Sequence, residues 1–176
     1  MESCHGDCSH QPSACTQSLN EMQFERGIWG AAMDGDVEKV QEMLRKSIDP
    51  SMRDSSGYTA LHYAARHGKQ RVCEVLLKSN ANPNAQTPGG ATPLHRAAFA
   101  GNDVIVNMLL KFKADPMLRD SDGRTALHKA AEGQHIECCK LLLKLNKNLK
   151  EELDKRGFPP SYYVHPEQEE LKKLFY

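Results

Sequence analysis

Apolar positions along the chain fall in short clusters that recur. Alanine pairs stand at Ala31-Ala32, Ala64-Ala65, Ala97-Ala98 and Ala130-Ala131. Pairs of larger apolar residues stand at Met43-Leu44, Leu76-Leu77, Leu109-Leu110 and Leu142-Leu143. Both series step by 33 residues. A fixed period of this size marks a repeat architecture. Each unit predicts two short helices. The first carries the alanine pair, small enough for a neighbouring helix to come close. The second has an apolar face ending in Leu-Leu. Helices this short are marginal alone in water, so the units must stack on one another to build a core.

The polar punctuation keeps the same register. Thr59-Ala60-Leu61-His62 returns as Thr92-Pro93-Leu94-His95 and as Thr125-Ala126-Leu127-His128. Glycines fall at Gly57, Gly90 and Gly123, and prolines at Pro50, Pro83 and Pro116, each proline after Asp or Asn. An Asp/Asn-Pro followed by glycine predicts an extended segment and a tight turn. The threonine then caps the first helix, its hydroxyl meeting a free backbone N–H. Gly68 and Gly101 end that helix by accepting a left-handed conformation.

The Thr-Pro/Ala-Leu-His tetrad, the glycine and the Leu-Leu at period 33 resemble the ankyrin repeat, over residues 21–176. The resemblance implies an all-α solenoid with β-hairpin finger loops: about four repeats (26–57, 58–90, 91–123 and 124–157) and a degenerate C-terminal cap (158–176). It also implies that His62, His95 and His128, with Thr59, Thr92 and Thr125, are structural, hydrogen-bonding within and between units. The ends depart from the pattern. Arg26 and Trp29 stand where the first unit would carry Thr and His, and Gly133-Gln134 replaces the order of His67-Gly68. The loop from Lys147 to Arg156 is longer and charged, and Glu167 to Phe175 is expected to form the last helix.

Charge narrows the classes of partner. Lys plus Arg and Asp plus Glu number 23 each, so no basic excess draws the chain to nucleic acid or to an anionic membrane. No stretch approaches the roughly 20 apolar residues that span a bilayer. Residues 1–20 lack the apolar core of a secretory signal, which points to an intracellular, reduced protein, cytoplasmic or nuclear, and a monomer is expected.

Most candidate chemistry has a plainer reading. The repeat histidines are one unit apart, roughly 10 Å by helix-packing distances, too far to share a zinc ion. Asp120-Ser121-Asp122-Gly123 opens like a calcium loop but lacks the later ligands. No phosphate-binding glycine loop is present. Cys73, Cys138 and Cys139 lie on inward positions, where thiols are usually inert. The chain is therefore read as a non-enzyme without a cofactor. Residues 1–20 hold Cys4, His5, Cys8, His10 and Cys15, whose types suit zinc. With few apolar residues around them, a disordered tail is the plainer expectation, with a zinc or redox role as the rival.

In ankyrin proteins a partner lies along the concave face, made by the finger tips and the exposed side of each first helix. Carried over residue by residue, that face comprises Tyr58, Tyr63, Arg66, His67, Arg96, Phe99, Arg124 and Lys129. Aromatic and arginine side chains are the usual anchors of protein interfaces, and this set suits an acidic or phosphorylated segment with apolar character. The function implied is an adaptor or scaffold; an inhibitor or assembly chaperone is the alternative. Asn84, eight residues after Leu76, also resembles the finger asparagines that an intracellular dioxygenase hydroxylates.

Overall fold

The computed structural model describes residues 27–176; the proposed metal or redox ligands of the N-terminal tail lie outside them. Helices alternate short and long. α1 (Ile28–Asp34) and α2 (Val37–Arg45) form the first unit, α3 (Ala60–Arg66) and α4 (Gln70–Lys78) the second. α5 (Pro93–Ala100) and α6 (Asp103–Lys111) form the third, α7 (Ala126–Glu132) and α8 (Ile136–Leu145) the fourth. First helices pack on first helices and second helices on second helices along the stack.

The alanine pairs explain the close stacking of the inner layer: all eight alanines are buried, none more than 1% exposed. Leu61, Leu94 and Leu127 fill the space between the helices of each unit. In the outer layer one buried position is Val40, Cys73, Val106 and Cys139 in successive units. Cysteine there stands in for valine as a small apolar side chain. Burial pushes the Cys73, Cys138 and Cys139 thiols up to about 12, far from the thiolate that reactivity requires.

The fingers between units are tight turns. Each closes by the same backbone bond: Asp54 to Tyr58, Thr87 to Ala91, Asp120 to Arg124 and Asp154 to Phe158, N–H to carbonyl at 2.9–3.0 Å. The hairpins are short. Among the described residues their only β-pairing is one antiparallel bridge, Arg53 to Thr59. Gly90 turns the second finger at φ +73, and a Cβ there would lie 3.0 Å from the Asp120 Cα of the next finger. Left-handed geometry and close approach both exclude larger residues at that point.

The C-terminal cap is less helical than its sequence suggests. A 3-10 turn at Pro160–Tyr163 takes the place of a first helix. The final helix, α9, runs only over Glu169–Lys172 rather than Glu167 to Phe175. One extra residue enters ahead of it, since Asp154 follows Asp120 by 34 positions instead of 33. Ser47, Asn80 and Lys113 end the first three second helices in left-handed conformation, φ 63–65°. Asn146 takes extended backbone at the corresponding place, and the chain enters a 3-10 turn at Lys147–Glu151. Leu149, Leu171 and Phe175 still reach the core and close it.

Candidate concave docking site

The capping threonines set the geometry of the inner face. Thr59, Thr92 and Thr125 each form a capping box with the histidine three residues on, which satisfies donors left open at a helix start. The histidine Nδ1 accepts the threonine N–H at 3.1–3.2 Å. Its Nε2 then donates into the following finger: His62 to the Ala91 carbonyl (3.0 Å), His95 to Arg124 (2.9 Å) and His128 to Phe158 (3.2 Å). One tautomer serves both bonds, and it is neutral. Burial pushes all three imidazoles below their ordinary range, His62 to about 4. These histidines tie units together and are not open to a ligand. In the first unit the Trp29 indole N–H donates to the Met52 carbonyl at 3.0 Å, a tie of the same kind.

Two positions flank each cap and face the next unit. The residue just before the cap is Tyr58, Ala91 or Arg124; the residue four after it is Tyr63, Arg96, Lys129 or, in the cap, Tyr163. Side chains at these positions meet across neighbouring units. Arg96 lies over the Tyr58 ring, 5.0 Å from its centre, and donates to the Tyr58 hydroxyl. Arg124 lies over the Tyr163 ring at 4.8 Å. The same arginine–tyrosine pair thus occurs twice in one register with its members exchanged. At the step between them stands Ala91, whose methyl group cannot fill the equivalent space.

A groove of about 480 Å³ opens at that step. Tyr58, Ala91, Arg96 and Phe99 line one side; Asp120, Lys129 and Glu132 line the other, with Pro88, Gly89 and Ser121 from the fingers. Phe99 is 49% exposed, a large apolar surface open to water beside a half-buried guanidinium. Lys129 turns to Asp120 (3.6 Å) and Glu132 (3.3 Å), and Glu132 also meets Arg124 (3.2 Å).

The structure therefore brings four of the eight expected face residues to one groove: Tyr58, Arg96, Phe99 and Lys129. Tyr63 sits behind, its hydroxyl donating to Asp54 at 2.6 Å. Burial, with that bond second, raises the phenol well above its usual range. Arg124 is folded into the cap between Tyr163, Glu132 and Asp154. Arg66 and His67 are exposed at the end of α3, away from the groove lining. Asp120 was read from sequence only as part of a finger turn that opens like a calcium loop, and Thr87 was not singled out. The signal was there, since 54, 87, 120 and 154 all lie five residues before a cap.

Asn84 has both ends of its amide in use. Its Oδ1 accepts the Asp115 N–H at 2.8 Å and its Nδ2 donates to the Lys113 carbonyl at 3.2 Å. It staples one inter-unit loop to the next, and any chemistry at its Cβ would require those bonds to open.

Among the described residues no group of three or more His, Cys, Asp and Glu side chains is arranged to hold a metal ion, and no helix is long and apolar enough to cross a membrane.

Known proteins place this architecture. A family model described as ankyrin repeats (3 copies) matches residues 28–120 and 94–163. The chain is 53% identical over 72 residues to ankyrin repeat domain-containing protein 39 of Homo sapiens, a match covering 39% of each protein. It is 54% identical over 66 residues to the Bos taurus protein of that name, covering 36% of each. Ankyrin repeat domain-containing protein 46 of Rattus norvegicus is 42% identical over 45 residues, 26% of this chain and 20% of that one. The matched segments thus span about two fifths or less of these relatives. With the family model covering most of its length, the chain belongs to the ankyrin-repeat family.

Proposed function

We infer that this chain is a non-catalytic adaptor or scaffold that holds a protein segment in the groove over Ala91. One observation carries the reading: the inner ladder is filled by arginine–tyrosine pairs on either side and left open at Ala91, beside the exposed Phe99 ring. An aromatic and an arginine around a pocket make the kind of anchor on which protein interfaces concentrate their energy. Ankyrin repeats generally mediate protein–protein interaction, and the groove is where this one offers unfilled surface. The three described cysteines are free thiols, which suits a reducing intracellular compartment. The charges along the groove alternate in sign, which disfavours a polyanion such as nucleic acid.

Ala91→Tyr tests the assignment. Tyrosine is native at the same position one unit earlier, so the fold should tolerate it. Proteins cross-linked in cells to the wild-type chain should be lost with the variant, whose thermal unfolding should be unchanged. Retention of the same proteins by a folded Ala91→Tyr variant would sink the groove as the docking site. Activity assays on a partner so identified, with and without this chain, would separate an adaptor from an inhibitor.

A further inference from the structure

The register of the capping residues contains one irregularity with chemical content. Five residues before the caps stand Asp54, Thr87, Asp120 and Asp154; four after them stand Tyr63, Arg96, Lys129 and Tyr163. In three units the carboxylate meets the side chain across from it. Tyr63 donates to Asp54 at 2.6 Å, Lys129 lies 3.6 Å from Asp120, and Tyr163 donates to Asp154 at 2.5 Å. The other oxygen of each carboxylate accepts finger N–H groups, such as those of Tyr58 and Arg124 at 2.8 Å. Thr87 makes only the second kind of bond, its Oγ1 accepting the Ala91 N–H at 3.2 Å. The oxygen that would face Arg96 is missing.

Arg96 is left accordingly. Its Nη2 donates to Tyr58, its Nε, like that of Arg124, is buried with no acceptor, and its Nη1 makes no hydrogen bond among the described residues. No ion pair among those residues includes it, whereas Arg124 and Lys129 are both paired. A partly desolvated guanidinium without a counter-charge is costly to maintain and is the group best shaped to take a carboxylate. It sits in the wall of the groove, next to Phe99.

We propose that a bound protein segment supplies the missing carboxylate, an aspartate or glutamate side chain on Arg96, with an apolar neighbour against Phe99 and Ala91. The proposal rests on the groove being the docking site. The charge around it favours one carboxylate over a phosphate or an acidic run. Asp120 and Glu132 in the lining are both taken up by Lys129, and Glu132 by Arg124 as well, so one carboxylate would serve the unpaired Arg96 while further negative charge would meet these two acids.

Selection of random peptides on the full chain provides the test. Peptides whose binding Ala91→Tyr abolishes are retained, and their affinities are measured by calorimetry. Retained peptides should carry an aspartate or glutamate whose change to asparagine or glutamine weakens binding about tenfold or more, as for other charge-assisted hydrogen bonds. Thr87→Asp, which restores the acid present in the other three units, should weaken the acidic peptide by a similar factor and leave the neutral peptide unaffected. Arg96→Gln should reproduce that result, so the test survives a misfolded Thr87→Asp. Groove peptides that need no acid, or that bind Thr87→Asp undiminished, overturn the carboxylate site and leave the docking reading standing. Tighter binding with phosphoserine in place of the acid overturns it in favour of phosphate. If no selected peptide is sensitive to Ala91→Tyr, the docking reading falls as well.

Discussion

The third unit and the C-terminal cap are built on the same register and treat their polar groups in opposite ways. In the cap, Asp154 accepts the Tyr163 hydroxyl and the Arg156 and Phe158 amides, while Arg124 and Arg156 approach its carboxylate. The Asp154 carboxylate is answered from within the chain, although the Arg124 Nε, like that of Arg96, finds no hydrogen-bond acceptor among the described residues. In the third unit Thr87 replaces the acid, Ala91 replaces the large side chain, and Arg96 is left open. Among the described residues the cap packs on one neighbouring unit, and its polar groups are satisfied within itself and by that neighbour. An interior unit receives that support from both sides and can leave a site unfilled. Closed networks thus hold the stack together, and the open one is where we propose that a partner enters.

The largest test of the comparison reaches beneath both regions. Leu94 is fully buried in the third unit, whereas Ser161 stands at the equivalent place in the cap. Leu94→Ala should cost about 2–5 kcal/mol in urea denaturation, the usual range for a buried leucine truncation. Ser161→Ala should change little. Comparable losses would mean that the cap shares the core's packing burden, and that its closed polar network is incidental.

Acid should then separate the two regions by pH. His62, His95 and His128 are neutral when folded, and burial depresses all three. The unfolded chain binds protons near pH 6.5, and folded His62 binds only near 4. Stability should therefore fall as pH drops from 6.5 towards 4, by on the order of 3 kcal/mol from His62. The cap has Tyr162 in place of the histidine and answers later. Burial pushes the Asp154 carboxyl up, but the Tyr163 hydroxyl, the Phe158 and Arg156 amides and the Arg156 guanidinium outweigh it and hold it at about 2. Its contribution is present above the ordinary carboxylate range and is lost as pH falls from about 4 to 2. Asp154→Asn should lower the melting temperature at neutral pH and erase only this second, more acidic loss. A variant that erased the loss between 6.5 and 4 would place that loss in the cap.

Glycine offers a third contrast. Gly90 and Gly157 both turn their fingers with left-handed φ, +73 and +80. An alanine pays roughly 1–2 kcal/mol for that conformation anywhere. At Gly90 its Cβ would also press on the Asp120 backbone of the next finger; at Gly157 nothing lies within 4 Å. Gly90→Ala should therefore cost more than Gly157→Ala by thermal melting. Equal costs would mean that the fingers are not in firm contact.

The fold was legible because its signals repeat. Threonine caps, alanine pairs and large apolar pairs recur at one spacing, and three or four copies of a weak local signal make a strong one. The cap was harder to read because its determinants occur once. The extra residue before Asp154 breaks the register, and nothing local in Glu167 to Phe175 distinguishes four helical residues from nine. At the site, the inner-face positions were visible from the register, but their pairing was not. Tyr63 and Arg124 looked as available as Arg96 until Asp54 and Asp154 were placed against them. Availability depends on a neighbour 9–39 positions away, and side-chain type alone does not carry that information.

The smallest predicted effect is the most discriminating. If Thr87 is what keeps Arg96 open, Thr87→Asp should convert the third unit into the closed form of its neighbours. The new carboxylate would keep the turn bond to the Ala91 N–H and add an ion pair to a half-buried guanidinium. Such pairs contribute roughly 0–1 kcal/mol, so chemical denaturation should register a slight gain or no change. Thr87 is itself buried, 6% exposed, so a carboxylate that failed to reach Arg96 would be desolvated without a partner and would destabilise the protein clearly. A clear loss of stability would therefore mean that the second finger cannot present an acid to Arg96 as the fingers of Asp54 and Asp154 do to their tyrosines. The open groove would then follow from finger shape, and the missing carboxylate would explain nothing. A neutral or stabilising result would mean that this one side chain separates a closed step of the ladder from the open one, and a stabilising result would mean in addition that the chain forgoes a small amount of stability at Thr87 to keep a cation available.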